Sequence, residues 1–554
     1  MAGDFQVDTS GSVTSRLDPV ALEILWSRLI ALVEESVSTL ARTAFSPSVR
    51  ESNDLTCALM DVEGNALAQS LTSTPLHTGV KSVTMKALLA QFPAEVWKRG
   101  DAAISNDPWI GTGHRFDVTI ACPIFHRQRL VGFAVNDTHW GDLGGAGMVV
   151  ENRDVFEEGL GIPNCMVLSE GEPVQIVLEF IRLNTRFPEE TLGDLHAQLA
   201  AADRLAAAVA ELLEETGLAD LAETADAIYT KSEASMRAAI ATLPAGTHSY
   251  ELDTDGYEEP LHLKVMLTVV PSEGRIKVDF AGSSPQTSRA LNAVWNYTYA
   301  WSVFALKAAL DPETPNNEGC LRPFEVVAPE GSVLNASWGA PVSVRHQTGH
   351  YVPTLILTAL GEIAPDRVIA QCGSPPHRSL ISGEWPDGRG FGFTINASGG
   401  LGAGAGNDGL HATAFPTNTV CISLEILERL YPVVFWAREL IPGSGGTGRH
   451  RGGCGQRIDF EYTGSRPGFL SPLVERVKLA PEGMQGGGPG TTAAMTRNGT
   501  PVRPKVRLVM EPGDRFEIRT PGGGGFGPAS ERDPEAVAAD AASGLAKADG
   551  ALVV

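Results

Sequence analysis

Apolar residues recur at Leu22, Leu25, Leu29, Val33, Val37 and Leu40, three or four positions apart, behind Asp18-Pro19. That spacing places them on one stripe of a helix, with Asp18 as cap and Pro19 in the first turn, and predicts a long amphipathic helix over residues 17–44. The period then switches to two. Alternating runs at residues 55–60 and 66–69, joined through Glu63-Gly64-Asn65, predict a hairpin. A helical stretch at about residues 79–91 precedes a second predicted hairpin over residues 118–136. Residues 189–242 are dense in Ala, Leu and Glu and are broken at Gly217, which predicts a helical pair.

From residue 250 short alternating runs dominate, at 250–252, 261–270 and 275–280, followed by helices near 291–310 and 352–362. Residues 399–527 interleave Gly-rich loops with strands such as 456–462 and 515–519, loops that either line something or pack tightly. An alanine-rich helix with a loose end is expected over residues 533–554. No repeat of fixed period is visible. The texture is α+β: a large mixed multi-layer fold with antiparallel hairpins, long helices and Gly-rich loops, without the βαβα rhythm of a doubly wound sheet. Three parts are expected: residues 1–245, an N-terminal domain with the helical pair; residues 246–530, an α+β and Gly-rich β domain; and residues 531–554, a C-terminal helical tail.

Composition narrows the function classes. The 554 residues leave ample chain for several cores. Acidic residues number 66 against 43 Lys and Arg, a formal charge of -23, and no basic cluster forms a phosphate-tracking stripe. Nucleic acid and anionic membrane are therefore not expected as partners. Residues 1–16 are polar and carry no apolar targeting core, and no uncharged apolar run reaches spanning length. The 7 cysteines are far apart and form no CxxC pair, which excludes a disulfide framework and a thiolate zinc site and fits a reducing cytoplasm.

Candidate chemistry concentrates at the second hairpin. Asn106-Asp107-Pro108-Trp109-Ile110-Gly111-Thr112-Gly113-His114-Arg115-Phe116-Asp117 leads into one strand, and Asn136-Asp137-Thr138-His139-Trp140-Gly141-Asp142 leaves the other. Two HxxD units thus flank one hairpin. With the turn centred between Arg127 and Gln128, antiparallel pairing sets Asp117 opposite Thr138 and Phe116 opposite His139, so both units meet in space. Two imidazoles with carboxylates suit a divalent transition metal, namely Mn, Fe, Co or Zn, with positions open for water or substrate. Asp54, opening the first hairpin, is a candidate additional carboxylate, against a strand-capping role.

Other motifs carry less. Two GxGxxG strings, at 404–409 and 443–448, neither follow a clear strand nor open a helix, so they fail as dinucleotide loops. No GxxxxGK[ST] occurs, so ATP, if used, binds to another chain. Arg449, His450 and Arg451 read as a solvated loop in preference to an anion site. His346 and His350, beside Arg345, stand four apart, but Gly349 and Pro353 disfavour a metal-binding helix there. No nucleophile signature is present.

These residues resemble the hydantoinase B/oxoprolinase family. The blocks are ESNDLTCALMD from Glu51, NDPWIGTGHRFDVTIACPIF from Asn106, NDTHWGDLGG from Asn136, DFAGSSPQTSRALN from Asp279, RPFEVVAPEGSVLNA from Arg322, PGSGGTGRHRGGCG from Pro442 and TPGGGGFG from Thr520. One departure is Gly111-Thr112-Gly113, where relatives commonly have adjacent glycines. The resemblance implies a metal at His114, Asp117 and His139, with Asp54 or Asp142 completing the site as ligand or proton acceptor. It implies an A-type ATPase partner subunit of the actin-like superfamily that phosphorylates the substrate carbonyl oxygen at the expense of ATP, and hence a hetero-oligomer. The expected reaction is hydrolysis of a small cyclic amide: a hydantoin, 5-oxoproline or a lactam. Ketone carboxylation is the alternative in related subunits, and the chain's length, without large insertions, favours the amidohydrolase. A non-catalytic scaffold for the ATPase is the third reading.

Overall fold

The computed structural model of the chain describes residues 18–545 apart from residues 73 and 78. The polar start and the last residues of the predicted tail lie outside the described residues. The first helix runs over Pro19–Thr43, and the Asp18 carboxylate accepts from the Ala21 amide at 3.2 Å. Leu29, Val33 and Leu40 on its stripe have no exposed surface, and burying each such side chain is worth about 1.5–3 kcal/mol.

That stripe packs on a seven-stranded antiparallel sheet. Its strands are β1 (Leu55–Met60), β2 (Ala66–Gln69), β3 (Ala102–Ser105), β4 (Asp117–His126), β5 (Arg129–His139), β6 (Cys165–Ser169) and β7 (Glu172–Pro173), in the order β2-β1-β5-β4-β3-β6-β7. The helical pair is Pro188–Thr216 and Ala222–Ala241, separated where Gly217 turns into the left-handed region at φ 71. Its first member lies on β4 and β5 beside the first helix, and Val80–Gln91 covers the opposite face. With both faces covered, β1 and nearly all of β4 are buried. β3, β6 and β7 are strands that the sequence pattern does not predict.

The second hairpin has one feature that the sequence does not disclose. His126 pairs with Arg129 across the turn as expected, but Ile124 pairs with Gly132 and Phe125 with Leu130, leaving Val131 as an extra residue. This bulge shifts the register by one. Asp117 therefore faces His139, and Val118 faces Thr138, in place of the predicted pairing.

The second sheet has the order β11-β10-β9-β8, from β8 (Gly246–Thr254), β9 (Leu261–Val270), β10 (Arg275–Asp279) and β11 (Phe324–Val327), with β10 and β11 parallel. Helices Trp295–Leu310 and Tyr351–Leu360 pack together against it. One apolar core runs from Leu22 to Phe526 and so includes residues on both sides of position 245. Beyond lie a four-stranded and a five-stranded sheet, the former built on the hairpin His377–Glu384 and Gly390–Ala397, around a second core.

The glycine runs of the last third pack backbone on backbone. The Gly453 amide donates to Leu401, Gly523 to Gly453, and Gly446 to Gly523, at 2.8–2.9 Å. A Cβ at Gly453 would overlap the Leu410 carbonyl, so these positions require a hydrogen in place of a side chain. Arg449 and Arg451 reach Glu531 and Asp540, at 3.3 and 3.0 Å, and help hold the C-terminal helix Pro534–Ala542.

Candidate metal centre

Asp117 opens β4 and His139 closes β5, and the bulged register makes them direct partners. His114 arrives on the preceding loop. The ligand atoms of these three residues lie within 4.8 Å of one another. His114 Nε2 and His139 Nδ1 are each 3.0 Å from Asp117 Oδ1. The His114 and Asp117 side chains are buried and His139 is largely so.

The groups behind them set their chemistry. His114 Nδ1 lies 3.1 Å from the Ser343 carbonyl; a carbonyl only accepts, so Nδ1 carries the proton and Nε2 presents a lone pair. Nε2 stands 3.0 Å from Asp117 Oδ1 without a well-directed hydrogen bond to it. The Ser343 amide in turn donates to Glu158 at 2.7 Å, and burial pushes the Glu158 carboxyl up to about 8. Burial, then the positive charge of Arg345, pulls His114 down to about 4, so it is neutral near pH 7.

Burial alone would raise Asp117, but neighbouring positive charge and hydrogen bonds hold it well below the usual carboxylate range. With His114 neutral, the cation responsible at neutral pH is Arg345, whose Nη2 donates to Asp117 Oδ2 at 2.7 Å. Thr112 Oγ1 donates to the same oxygen at 2.5 Å, which gives the threonine between the two glycines a task. Arg345 Nε also donates to the Thr112 carbonyl at 2.6 Å, and its guanidinium sits 4.3 Å from the Tyr297 ring centroid. Gly113, at φ 96, permits this approach, since a Cβ there would lie 2.9 Å from Arg345 Cδ. Two nitrogens and one oxygen, oriented from behind and with one orphaned lone pair, fit a divalent transition metal. Sulfur plays no part: Cys122 lies farther along β4, and burial raises its thiol to about 12.

The other two predicted carboxylates sit differently. Asp54 takes its place behind His139, whose amide donates to the Asp54 carbonyl at 3.1 Å. Its carboxylate does not join the three clustered ligand atoms and lies 3.6 Å from Arg378 Nη2. Asp142 Oδ1 accepts from the Gly144 amide and from Arg186 Nη1, at 3.0 and 2.9 Å, while Oδ2 accepts from the Arg186 and Phe187 amides. It clamps the loop after β5.

A cavity of about 630 Å³ opens beside His139 and Phe116. Phe187, Phe391, Ile422 and Tyr431 make its wall apolar, and Glu190, raised to about 7 by burial and then by Asp194 and Asp142, supplies a carboxyl. A recess of about 20 Å³ shares His139, Ser48, Met148, Leu380 and Thr394 with the cavity and adds Asp54, Arg378 and Asn396. Sequence reasoning missed Glu158, Glu190, Ser343 and Arg378. Arg345 stood beside the His346 and His350 pair that the motif reading considered, and its own role lay 228 positions from Asp117.

A Pseudomonas sp. (strain NS671) protein, named as the B-type chain of a D-/L-hydantoinase, is 29% identical over 97% of this chain and 95% of its own. The 5-oxoprolinase of Dictyostelium discoideum is 28% identical over 94% of this chain, which spans only 41% of that larger protein. The crystal structure of the ATP-dependent caprolactamase from Pseudomonas jessenii superposes with a TM-score of 0.89 over 97% of this chain and 95% of that one, at 24% identity. A nucleotide-free acetone carboxylase structure gives 0.85 over 95% of this chain and 78% of that one, at 20% identity. Both share the fold. No described helix is long and apolar enough to cross a membrane. Residues 18–529 match the hydantoinase B/oxoprolinase family, and the chain belongs to it.

Proposed function

We propose that this chain is the B-type subunit of an ATP-dependent cyclic amidohydrolase. It completes the hydrolysis of a hydantoin, 5-oxoproline or lactam that an A-type ATPase partner has activated by phosphorylation. The carrying observation is the convergence of His114, Asp117 and His139, of which His139 opens onto a cavity of about 630 Å³. A divalent transition metal bound there would supply Lewis acidity and lower the pKa of water. Asp117 stays ionised under Arg345 and Thr112, and His114 keeps its lone pair forward because Ser343 holds its other nitrogen. Asp54, next to His139 in the recess, is the carboxylate we assign to proton acceptance or to completing the ligand set. Asp142, engaged by Arg186 on both oxygens, positions the loop that carries the cavity wall. The aromatic wall takes up the ring's methylenes and excludes water.

The need for a partner is supported by the missing phosphate loop and by the helix Gln175–Asn184. Ile176, Phe180 and Leu183 stand exposed on it, and the chain then runs directly to Arg186 and Phe187 on the cavity wall. The 7 unpaired cysteines suit a reducing cytoplasm. The test is to combine the chain with its cognate ATPase and ATP, offer hydantoins, 5-oxoproline and caprolactam, and follow ring opening. No ring opening, with bicarbonate fixed into a ketone, would move the assignment to the carboxylase reading that the acetone carboxylase fold keeps open. Unchanged turnover in His114→Ala with the metal lost would make the chain a scaffold.

A further inference from the structure

Arg378 stands on the hairpin strand His377–Glu384, where it pairs with Asn396 on the partner strand and enters the recess behind His139. Its side chain is only 13% exposed, yet the guanidinium makes no hydrogen bond to any described residue; its one ionic neighbour is Asp54, at 3.6 Å. That separation is too long for a hydrogen bond. A buried arginine is ordinarily paired and bonded, because desolvating its charge is costly unless its donors are used. Arg345, a guanidinium bonded to the cluster, is the contrast: its Nε and Nη2 are both spent, on Thr112 and Asp117.

His346, His350 and Tyr297 also feel the charge of Arg378; all three are buried and none offers it an anion, the two imidazoles being held neutral by burial first and by Arg378 next. In the recess, Asn396 Oδ1 is buried without a hydrogen-bond partner. The recess holds about 20 Å³, room for a water or for the oxygen end of a larger molecule seated in the main cavity. The guanidinium fork is the side chain best matched to planar or tetrahedral oxyanions.

We infer that Arg378 forms an oxyanion subsite, which holds a carboxylate or phosphoryl oxygen of the molecule bound beside His114, Asp117 and His139. The inference rests on the amidohydrolase reading for what carries that oxygen: ring opening of a cyclic amide leaves a carboxylate, and activation by an ATP-using partner leaves a phosphoryl group. Asp54 competes for the same guanidinium, so an anion enters best when the Asp54 charge is neutralised.

The experiment is calorimetric titration of the full chain, freed of metal by a chelator, with inorganic phosphate in one arm and acetate in the other. At least one anion binds the wild-type chain; the arm that does so identifies the source. Arg378→Gln weakens that binding at least about tenfold, and Arg378→Lys restores part of it. Asp54→Asn, which frees the guanidinium, tightens it about threefold or more, a gain that no misfolded variant would give. Binding of neither anion, equal binding by Arg378→Gln, or weaker binding by Asp54→Asn would overturn the subsite. Because nothing turns over in this measurement, absence of lactam hydrolysis leaves the subsite standing, and absence of anion binding leaves the hydrolase to its own assay.

Discussion

Among the described residues stand two pairs of neighbouring, largely enclosed imidazoles, and they differ in everything except proximity. His114 and His139 have ring centroids 5.2 Å apart; His346 and His350 are 5.7 Å apart. The first pair shares a carboxylate, has one ring held by a backbone carbonyl, and lies where His139 meets a cavity. The second pair has no carboxylate among its clustered neighbours: His346 Nε2 and His350 Nδ1 are buried without partners, and His350 stacks on Tyr297 and meets Trp301 edge-on. Two histidines close together therefore do not make a ligand set. A negative donor between them and a group that fixes the tautomer are what the first pair adds toward one.

The largest effect separates the pairs by metal content. Purified chain should carry about one transition-metal ion, and His114→Ala or His139→Ala should lose it together with ring-opening activity, whereas His350→Phe should retain it. Elemental analysis decides. Stoichiometric metal in both ligand variants would show the site to lie elsewhere, and loss of metal in His350→Phe would make the second pair part of the site. A smaller effect is expected from the groups behind the ligands. Thr112→Val removes a donor that fixes the Asp117 carboxylate, and should weaken metal affinity about tenfold in competition with a chromophoric chelator. Affinity equal to or tighter than wild type would show that Thr112 only fills space.

How much of this was legible in the chain depends on how far apart the cooperating residues lie. The helix Pro19–Thr43 and the strands Leu55–Met60 and Ala66–Gln69 are local, set by period and turn residues, and they stand where the pattern places them. Three residues of the two HxxD units also meet, because a hairpin brings its own ends together, while Asp142 turns away to the loop after β5. The bulge at Val131 was invisible, since nothing in RLVGF marks which residue the pairing will skip. The hairpin at His377–Glu384 and Gly390–Ala397 escaped because glycines at positions 383, 390 and 392 interrupt the apolar alternation. Arg345, Ser343 and Arg378 reach the site from more than 200 positions away, and no local spacing encodes that. In the last third, glycine density announced a special backbone without saying which kind. The runs interlock by hydrogen bonds between loops distant in sequence, and only the folded arrangement shows that tight packing is what they are for.

The smallest expected effect tests the second pair on stability. Burial holds His346 and His350 well below the ordinary imidazole value of 6.5, with the charge of Arg378 as the next cause. A base whose folded-state pKa is depressed leaves the unfolded chain binding more protons once the pH falls below 6.5. Stability is therefore intact above that value and declines toward acid, by about 1.4 kcal/mol per pH unit for each such histidine. His350→Phe removes one of these protons while keeping an aromatic ring against Tyr297 and Trp301. At pH 7.5 the substitution should be neutral or mildly stabilising, because it deletes an unpartnered buried nitrogen and fills nearly the same space. Between about pH 6 and pH 4.5 its stability curve should be flatter than the wild-type curve by up to one proton's slope. Urea midpoints collected across that range at unchanged m-value give the comparison directly. Parallel curves would mean that His350 titrates in the folded chain much as it does in the unfolded one, and the second pair could not then be a pair of neutral core residues.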